Sequence, residues 1–524
     1  MGVSGVVDRA ISAVAPVWAA RRMAARSALD QYQRIQNYRA ADKNRLRSGW
    51  LPGGGSADED LLPDLATLRE RSRDMNRNDG YAAGATETVV NNTVGSGFRL
   101  QSRMDREMLS SAGFSEGEVE ALQEQAERVW RRQTRHWDAQ DAMDFSEIEN
   151  LVFRQVMENG EIFVLPSMIP RGEAPWRPYS LALEFVEADR VESPPGADRE
   201  TVRSGIELGE RGQPLAYWIR DSHPGDYRFG SISTKHQRYA KRQANGRPQV
   251  LHLFWKRRPG QNRGRPFFAP VLDKFKDLAD YMEAEVVAAR VAACFAAFVT
   301  KEDSLGGRLA NSTQESNQRL ETLEPGIIEY LGAGEDVKFG APNRPGGTFE
   351  PFVEGALREI AAGLGLPWQL VAKEFSDMNY SSARTALLEA RRFFVAWQEW
   401  LAKKFHQVIY ELLLEEAWLR GDFNVVDFYG LEEALVRARW IAPGWKWVDP
   451  TKEAQASQMA IDMGISTLAD EAATQGRDWE EVLEQRAREI SRARELGVPL
   501  GSEMTSTLQQ NQDENDDEDA GNAT

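Results

Sequence analysis

FFAPVLDKFKDLADYMEAEVVAARVAACFAAFV, residues 267–299, carries two patterns in one run. Val271, Leu272, Phe275, Leu278, Met282, Val286, Ala289 and Ala293 recur at helical spacing, which predicts one apolar face over about 30 residues, or roughly 45 Å. From Val286 to Val299 only Arg290 is not apolar, and most of the other side chains are small. A helix apolar nearly all round must be covered on most sides, here by further copies of the same chain. Its apolar run is too short to span a bilayer: the longest unbroken one is residues 291–299, against the roughly 20 that a crossing helix needs.

Working outward, residues 301–350 are rich in Gly and Pro, with strand-like pieces (GIIEYLG, VKF) that suggest a small α/β module. A helix is expected from Pro351 to the GLGLP turn, and after a loop a second long helix over residues 382–420, closed by Gly421. Ser381 or Ser382 is its expected N-cap. Upstream, Ser115 with Glu118 and Ser146 with Glu149 read as capping boxes, the second helix stopping at Gly160. Between residue 161 and about Val250 the short runs EIFVLPSM, SLALEFVEA, LAYWIRD and VLHLFW predict strands of a mixed α/β domain. Residues 48–64 read as a flexible connector, and the part from Thr451 as helical, with Ser466 and Asp478 as N-caps and Trp479, Val482, Leu483 and Ile490 as a stripe.

Composition narrows the function. The chain of 524 residues has room for several cores, and its single cysteine, Cys294, fits a reducing compartment. The net charge of −17 argues against a dedicated high-affinity nucleic-acid binder. Its distribution is uneven. Residues 231–265 hold ten Lys/Arg and no acid, whereas seven acids and no base follow from Glu503. The basic stretch leaves two readings open, a solvated surface or an electrostatic dock for acidic partners centred on Lys256, Arg257 and Arg258. The acidic end reads as solvated tail. At the other end, AISAVAPVWAA (10–20) lacks the order of a signal peptide and reads as a short amphipathic docking helix.

No residue pattern supports an enzyme. Gly-Lys, which a P-loop requires, occurs nowhere; HExxH, CxxC and EF-hand spacings are missing, and the five histidines are scattered. No metal, cofactor or catalytic residue is expected.

Three stretches, RNDGYAAGATETVVNNTVGSGFRLQ (77–101), GQNRGRPFFAPVLDKFKDLADYMEAEVVAARVAACFAAF (260–298) and IAAGLGLPWQLVAKEFSDMNYSSARTALLE (360–389), resemble the lambda-type portal proteins of tailed bacteriophages. The third is the most specific, and it departs from the family pattern only in Trp368 for Tyr and Glu374 for Asp. The resemblance implies an α+β, predominantly helical, multi-domain portal fold assembled as a ring of twelve with a central channel. Its parts would be an N-terminal basic segment and linker (1–64), a wing (65–266), a stem helix (267–299), a clip (300–350), a return stem helix (351–365), a tunnel loop (366–381), a long helix (382–429), a crown (430–502) and an acidic tail (503–524).

It further implies passage of double-stranded DNA through a capsid vertex, with the terminase large subunit, capsid or scaffold protein and head-completion or tail connector proteins as partners. No membrane partner is implied, and the setting is the virion, after assembly in the host cytoplasm. Lys373, Phe375, Met378, Asn379 and Tyr380 would meet DNA, unless Phe375 and Tyr380 pack the loop against the long helix. Ala289, Ala292, Ala293 and Ala296 would seal subunits. Twelve helices at roughly 10 Å spacing enclose a lumen of about 28 Å, enough for a duplex. Acidic walls would keep phosphate attachment weak and permit sliding. The competing readings are a helical adaptor that forms no ring and an enzyme of the packaging machinery.

Overall fold

The structure is a computed structural model, and it describes residues 17–18, 52–226, 234–293, 297–301, 335–339, 349–376, 378–445 and 449–498. The chain divides into two compact units, Met1–Ser56 and Ala57–Thr524. In the first, Val17 and Trp18 are helical and exposed, while the rest of the expected docking helix lies outside the described residues. The acidic tail 503–524 lies outside them too.

The second unit begins inside the expected connector. Residues Ala57–Leu61 form a helix, α1, and Asp58 on it is buried, accepting from the Asn262 backbone N–H at 3.0 Å and facing Arg203 at 3.3 Å. Those partners lie 204 and 145 residues away, so local composition read as linker what tertiary pairing holds in place. Helices α2 (Leu65–Asn78) and α3 (Gly80–Thr93) follow, the second capped by Asp79, and then strand β1 (Arg99–Ser102). After a short α4 (Arg106–Ser111), α5 (Glu116–Gln133) starts at the expected Ser115–Glu118 capping box.

Helix α6 (Phe145–Asn159) starts earlier than expected: its capping box is Asp144 with Glu147. Ser146 donates to the Asp144 carboxylate, and Glu149 turns into the core. Two overlapping boxes occur in the sequence, and the deeper position of Glu149 was decided by its buried partners. Gly160 closes α6 at φ 84°, in contact with the backbone of Arg265 and Pro266, where any side chain would collide.

The four predicted strand runs are strands: β2 (Glu161–Met168), β3 (Leu181–Val186), β6 (Pro214–Arg220) and β8 (Leu251–Phe254), together with β4 (Val202–Arg203), β5 (Ile206–Leu208) and β7 (His236–Ala240). They form a three-stranded sheet, β3-β2-β8, and a four-stranded one, β4-β5-β6-β7, all antiparallel. Phe163, Val191, Ile206 and Tyr217 fill the small core between them.

Helix α7 (Leu272–Ala293) ends before residue 299, because Ala297–Lys301 is strand β9, paired with β10 (Glu335–Phe339) in the register Phe339↔Ala297. β-Branched and aromatic residues in AFVT override the apolar helical period there. The VKF piece lies in β10; GIIEYLG lies outside the described residues. Helix α8 (Phe349–Leu364) returns antiparallel beside α7, with Lys274 facing Glu359 at 3.5 Å and the Tyr281 ring 4.5 Å from that of Phe352. At the base Gly363 lies against Val271, an approach that leaves no room for a β-carbon.

After α9 (Trp368–Ala372), α10 (Tyr380–Leu401) and α11 (Gln407–Arg420) together make the long helix expected over 382–420, unbroken but carrying a π bulge. A π-helical turn, Ala402–His406, joins them, and Gly421 ends α11 at φ 81°. The extra residue in that turn sends His406 into the core, where its ring lies 4.5 Å from that of Phe98 and its Nε2 meets Glu149. Helix α10 is capped by Asn379, whose Oδ1 accepts from the Ser382 N–H at 2.9 Å, so the expected Ser381 or Ser382 cap is corrected by two or three residues. Asn reaches its own third amide as well as Ser does.

Residues just beyond 430 pack with the main body. Helix α12 (Phe428–Leu435) puts Ala434 and Leu435 in the main core, and β11 (Ala438–Ile441) pairs with β1 from Arg99↔Ile441 to Ser102↔Ala438. A strand completed by a partner more than three hundred residues away leaves no local trace. Beyond it lie α13 (Pro450–Asp462), α14 (Leu468–Thr474), capped by Thr467 rather than Ser466, and α15 (Trp479–Leu496), capped by Asp478. None of the stripe residues Trp479, Val482, Leu483 and Ile490 is buried.

Candidate functional site

The α7–α8 hairpin changes character along its length. Leu272, Phe275 and Leu278 sit in the core, but from Tyr281 onward no described side chain of α7 is buried, and Val286 and Val287 are 48% and 49% exposed. Ala289 is exposed as well; Ala292 and Ala293 lie on the last turn of the backbone, and Ala296 is outside the described residues. One chain thus leaves its most apolar helical turns uncovered, at a cost that association would remove.

Beneath the hairpin runs the segment 366–381. Gly365 at φ 73° ends α8, Pro367 precedes α9, and the Trp368 ring lies 5.2 Å from the Arg358 guanidinium. Lys373 ends α9 at φ 58°, and the Glu374 N–H returns to the Gln369 carbonyl at 3.2 Å, a C-cap geometry that usually selects glycine. The Lys373 ammonium donates to the Thr88 hydroxyl of α3, next to a hollow of about 450 Å³ bordered by Tyr81, Leu278, Met282 and Val371. Lys373 is therefore tied to the body of the protein.

Its neighbours differ. Phe375 is 50% exposed and has no aromatic partner among the described residues. Met378 is half-buried, and Asn379 is occupied as the α10 cap. Tyr380 is the first residue of α10, half exposed, with the Lys452 ammonium 5.9 Å from its ring centre. Ser376 holds the Glu374 carboxyl below its usual range, through its hydroxyl first and then through its N–H, which donates at 2.8 Å. Of the five candidate contact residues, Phe375 is the one whose bulk is committed to nothing else.

Four arginines of the basic stretch are answered by distant acids. Arg238 is bidentate to Glu207, Arg247 faces Glu415 at 3.1 Å, and Arg258 faces Asp60 at 2.6 Å. Arg263 is buried against Glu161, which also receives the Gly264 N–H, His252 and Arg69. Burial alone would raise the Glu161 pKa, but Arg263 and Arg69 hold it well below the ordinary value. Burial pulls Arg69 down to about 10 against the opposing pull of Glu161. Lys256 and Arg257 are exposed, and desolvation lowers the Arg257 pKa. Sequence could not foresee the pairing, because Asp60, Glu161, Glu207 and Glu415 all lie outside the stretch. Thr88 was missed for the same reason, and Gly363, expected in the GLGLP turn, lies instead inside α8 against Val271.

A model of the family described as phage portal protein, lambda family, matches residues 43–398. Among curated proteins, portal protein B of Escherichia phage lambda is 26% identical over 494 residues, covering 87% of this chain and 89% of its own length. The portal protein of Escherichia phage N15 is 26% identical over 486 residues, covering 86% and 88%. The probable portal protein of Halomonas phage phiHAP-1 is 25% identical over 474 residues, covering 88% of each. Among solved structures, a chain of the native gene transfer agent virion matches at TM-score 0.41 and 13% identity over 79% of this chain and 93% of its own. A neck chain of the native particle, computed with C12 symmetry, matches at 0.39 and 13% over 78% and 92%. With the family match extending over most of the chain, including the hairpin and the loop beneath it, the protein belongs to the lambda family of phage portal proteins.

Proposed function

We propose that this chain is the subunit of a twelve-membered portal ring at a capsid vertex, through which double-stranded DNA is packaged and later released. The observation that carries the ring is the exposure of Val286, Val287 and Ala289 on a helix whose other half is core. Neighbouring hairpins would cover those turns, with Ala292, Ala293 and Ala296 at the closest approach. In this reading the body made by residues 65–266 and 382–441 is the wing, the α7–α8 hairpin the stem, residues 300–350 the clip and 366–381 the tunnel loop. The helices after residue 449 form the crown.

The ring acts as a conduit and docking platform without chemistry of its own. Acidic walls repel the phosphate backbone, so contacts are few and sliding is favoured. Phe375 is the residue best placed to touch DNA loosely. Terminase large subunit, capsid or scaffold protein and the head-completion proteins are the partners, met in the host cytoplasm before the virion is complete.

Electron-microscopy class averages of the purified chain, with its mass in solution, test this reading. Closed rings with a central lumen are expected; monomers or dimers at all concentrations would leave the helical adaptor in its place.

A further inference from the structure

Between the β6–β7 edge and the π turn lies a cleft of about 1150 Å³. Trp255, Trp400 and Leu412 supply apolar wall, and Lys241, Lys256 and Lys404 line it without an ion pair or side-chain hydrogen bond among the described residues. Three acids also line it: Glu415 is bound by Arg247 and by the Tyr429 hydroxyl at 2.8 Å, Glu411 accepts from the Gln407 amide at 3.0 Å, and Glu432 lies at the same wall, so the lysines face some native negative charge. Burial, and then the nearby charges of Arg242 and Lys404, lowers the Lys241 pKa, so its ammonium gains from any carboxylate that arrives.

Elsewhere in the basic stretch Arg238, Arg247, Arg258 and Arg263 have each found an acid. Lys241 and Lys256 of that stretch and Lys404 of the π turn share one tryptophan-walled cleft with no ion pair among the described residues, and the sequence contains the complementary charge. Residues 503–524 carry Glu503, Asp513, Glu514, Asp516, Asp517, Glu518 and Asp519 and no base. The acidic cluster begins fifteen residues after Val498, which gives it a tether of about 50 Å when extended. Covalent attachment also raises its local concentration to the millimolar range, well above that of a separate acidic peptide.

We infer that the cleft between β7 and the π turn is the docking site of the acidic segment 513–519 of this chain. The site does not rest on ring formation, and it moves the acidic dock away from Arg257 and Arg258 to Lys241, Lys256 and Lys404.

Acetylation footprinting of the full chain tests it. When the acids of 513–519 are replaced together (Asp→Asn, Glu→Gln), the acetylation rates of Lys241, Lys256 and Lys404 should rise about tenfold, the protection expected of a millimolar effective concentration against a dissociation constant of about 0.1 mM. Lys403, paired with Glu399 outside the cleft, should not change. In the unaltered chain, zero-length carbodiimide coupling should join those lysines to carboxylates of 513–519, and should weaken in high salt. Unchanged rates, an equal rise at Lys403, or coupling of the tail only to lysines outside the cleft would overturn the assignment. The same holds if the three lysines stay protected in the neutral-tail chain, which would make a second copy the occupant.

Discussion

Arg263 donates from Nε to Glu161 Oε1 over 2.6 Å, a pair separated by 102 residues of sequence and closed to solvent. The same guanidinium reaches the carbonyls of Val191 and Ala188 at 2.8 Å each, so one side chain joins the two sheets to the turn that leads into α7. Replacing Arg263 by Met removes both roles and leaves a buried carboxylate short of a partner. The expected loss is about 3–5 kcal/mol in urea unfolding. A loss under about 1 kcal/mol would show that the cluster is incidental.

The same cluster sets an acid limit. Glu161 has its folded pKa below the ordinary value, so it contributes stability above about pH 4.3 that is lost as pH falls toward the folded pKa. Burial lowers the His252 pKa in the folded state, so the unfolded chain takes up that proton first, and stability also falls below about pH 6.5. Both slopes have one sign. Unfolding midpoints measured between pH 7 and 4 should decline, and Glu161→Gln should flatten the part below about pH 4.5.

On α7, Val286→Glu and Val287→Glu alter side chains that a single chain leaves half exposed. Thermal stability of the monomer should change by no more than about 0.5 kcal/mol, while ring assembly is lost because each interface would bury an unpaired charge. Light scattering reads the outcome, and normal rings from both variants would remove the hairpin from the subunit contact.

Lys373 separates backbone from side-chain effects. Lys373→Gly relieves a left-handed residue worth about 1 kcal/mol but loses the Thr88 bond, so its net stability should stay near that of the parent. Lys373→Met keeps the strain and loses the bond, and should melt earlier by about 1 kcal/mol. Limited proteolysis across residues 374–378 should quicken in both if Thr88 anchors the segment.

Phe375→Ala should leave folding, rings and terminase docking intact, since the ring is half exposed and touches no other aromatic among the described residues. Packaging or retention of full-length DNA should fall. Particles holding complete genomes as well as the parent would make the segment a connector only.

What was legible in the sequence was whatever a short window contains. The helical period of 271–293, the alternating strand runs, the Ser115–Glu118 box and the glycine stops at Gly160 and Gly421 depend on neighbours within a few residues, where backbone geometry alone sets the outcome. Tertiary structure decided what depends on partners far along the chain. It converted much of an apparently basic surface into ion pairs with Asp60, Glu161, Glu207 and Glu415, and it completed β1 with β11. It also put a π bulge into one long helix to bring His406 to Glu149, and it turned Lys373 toward Thr88. Desolvation and Coulomb attraction between groups brought together only by folding choose these arrangements, and no local pattern of residues encodes such a meeting.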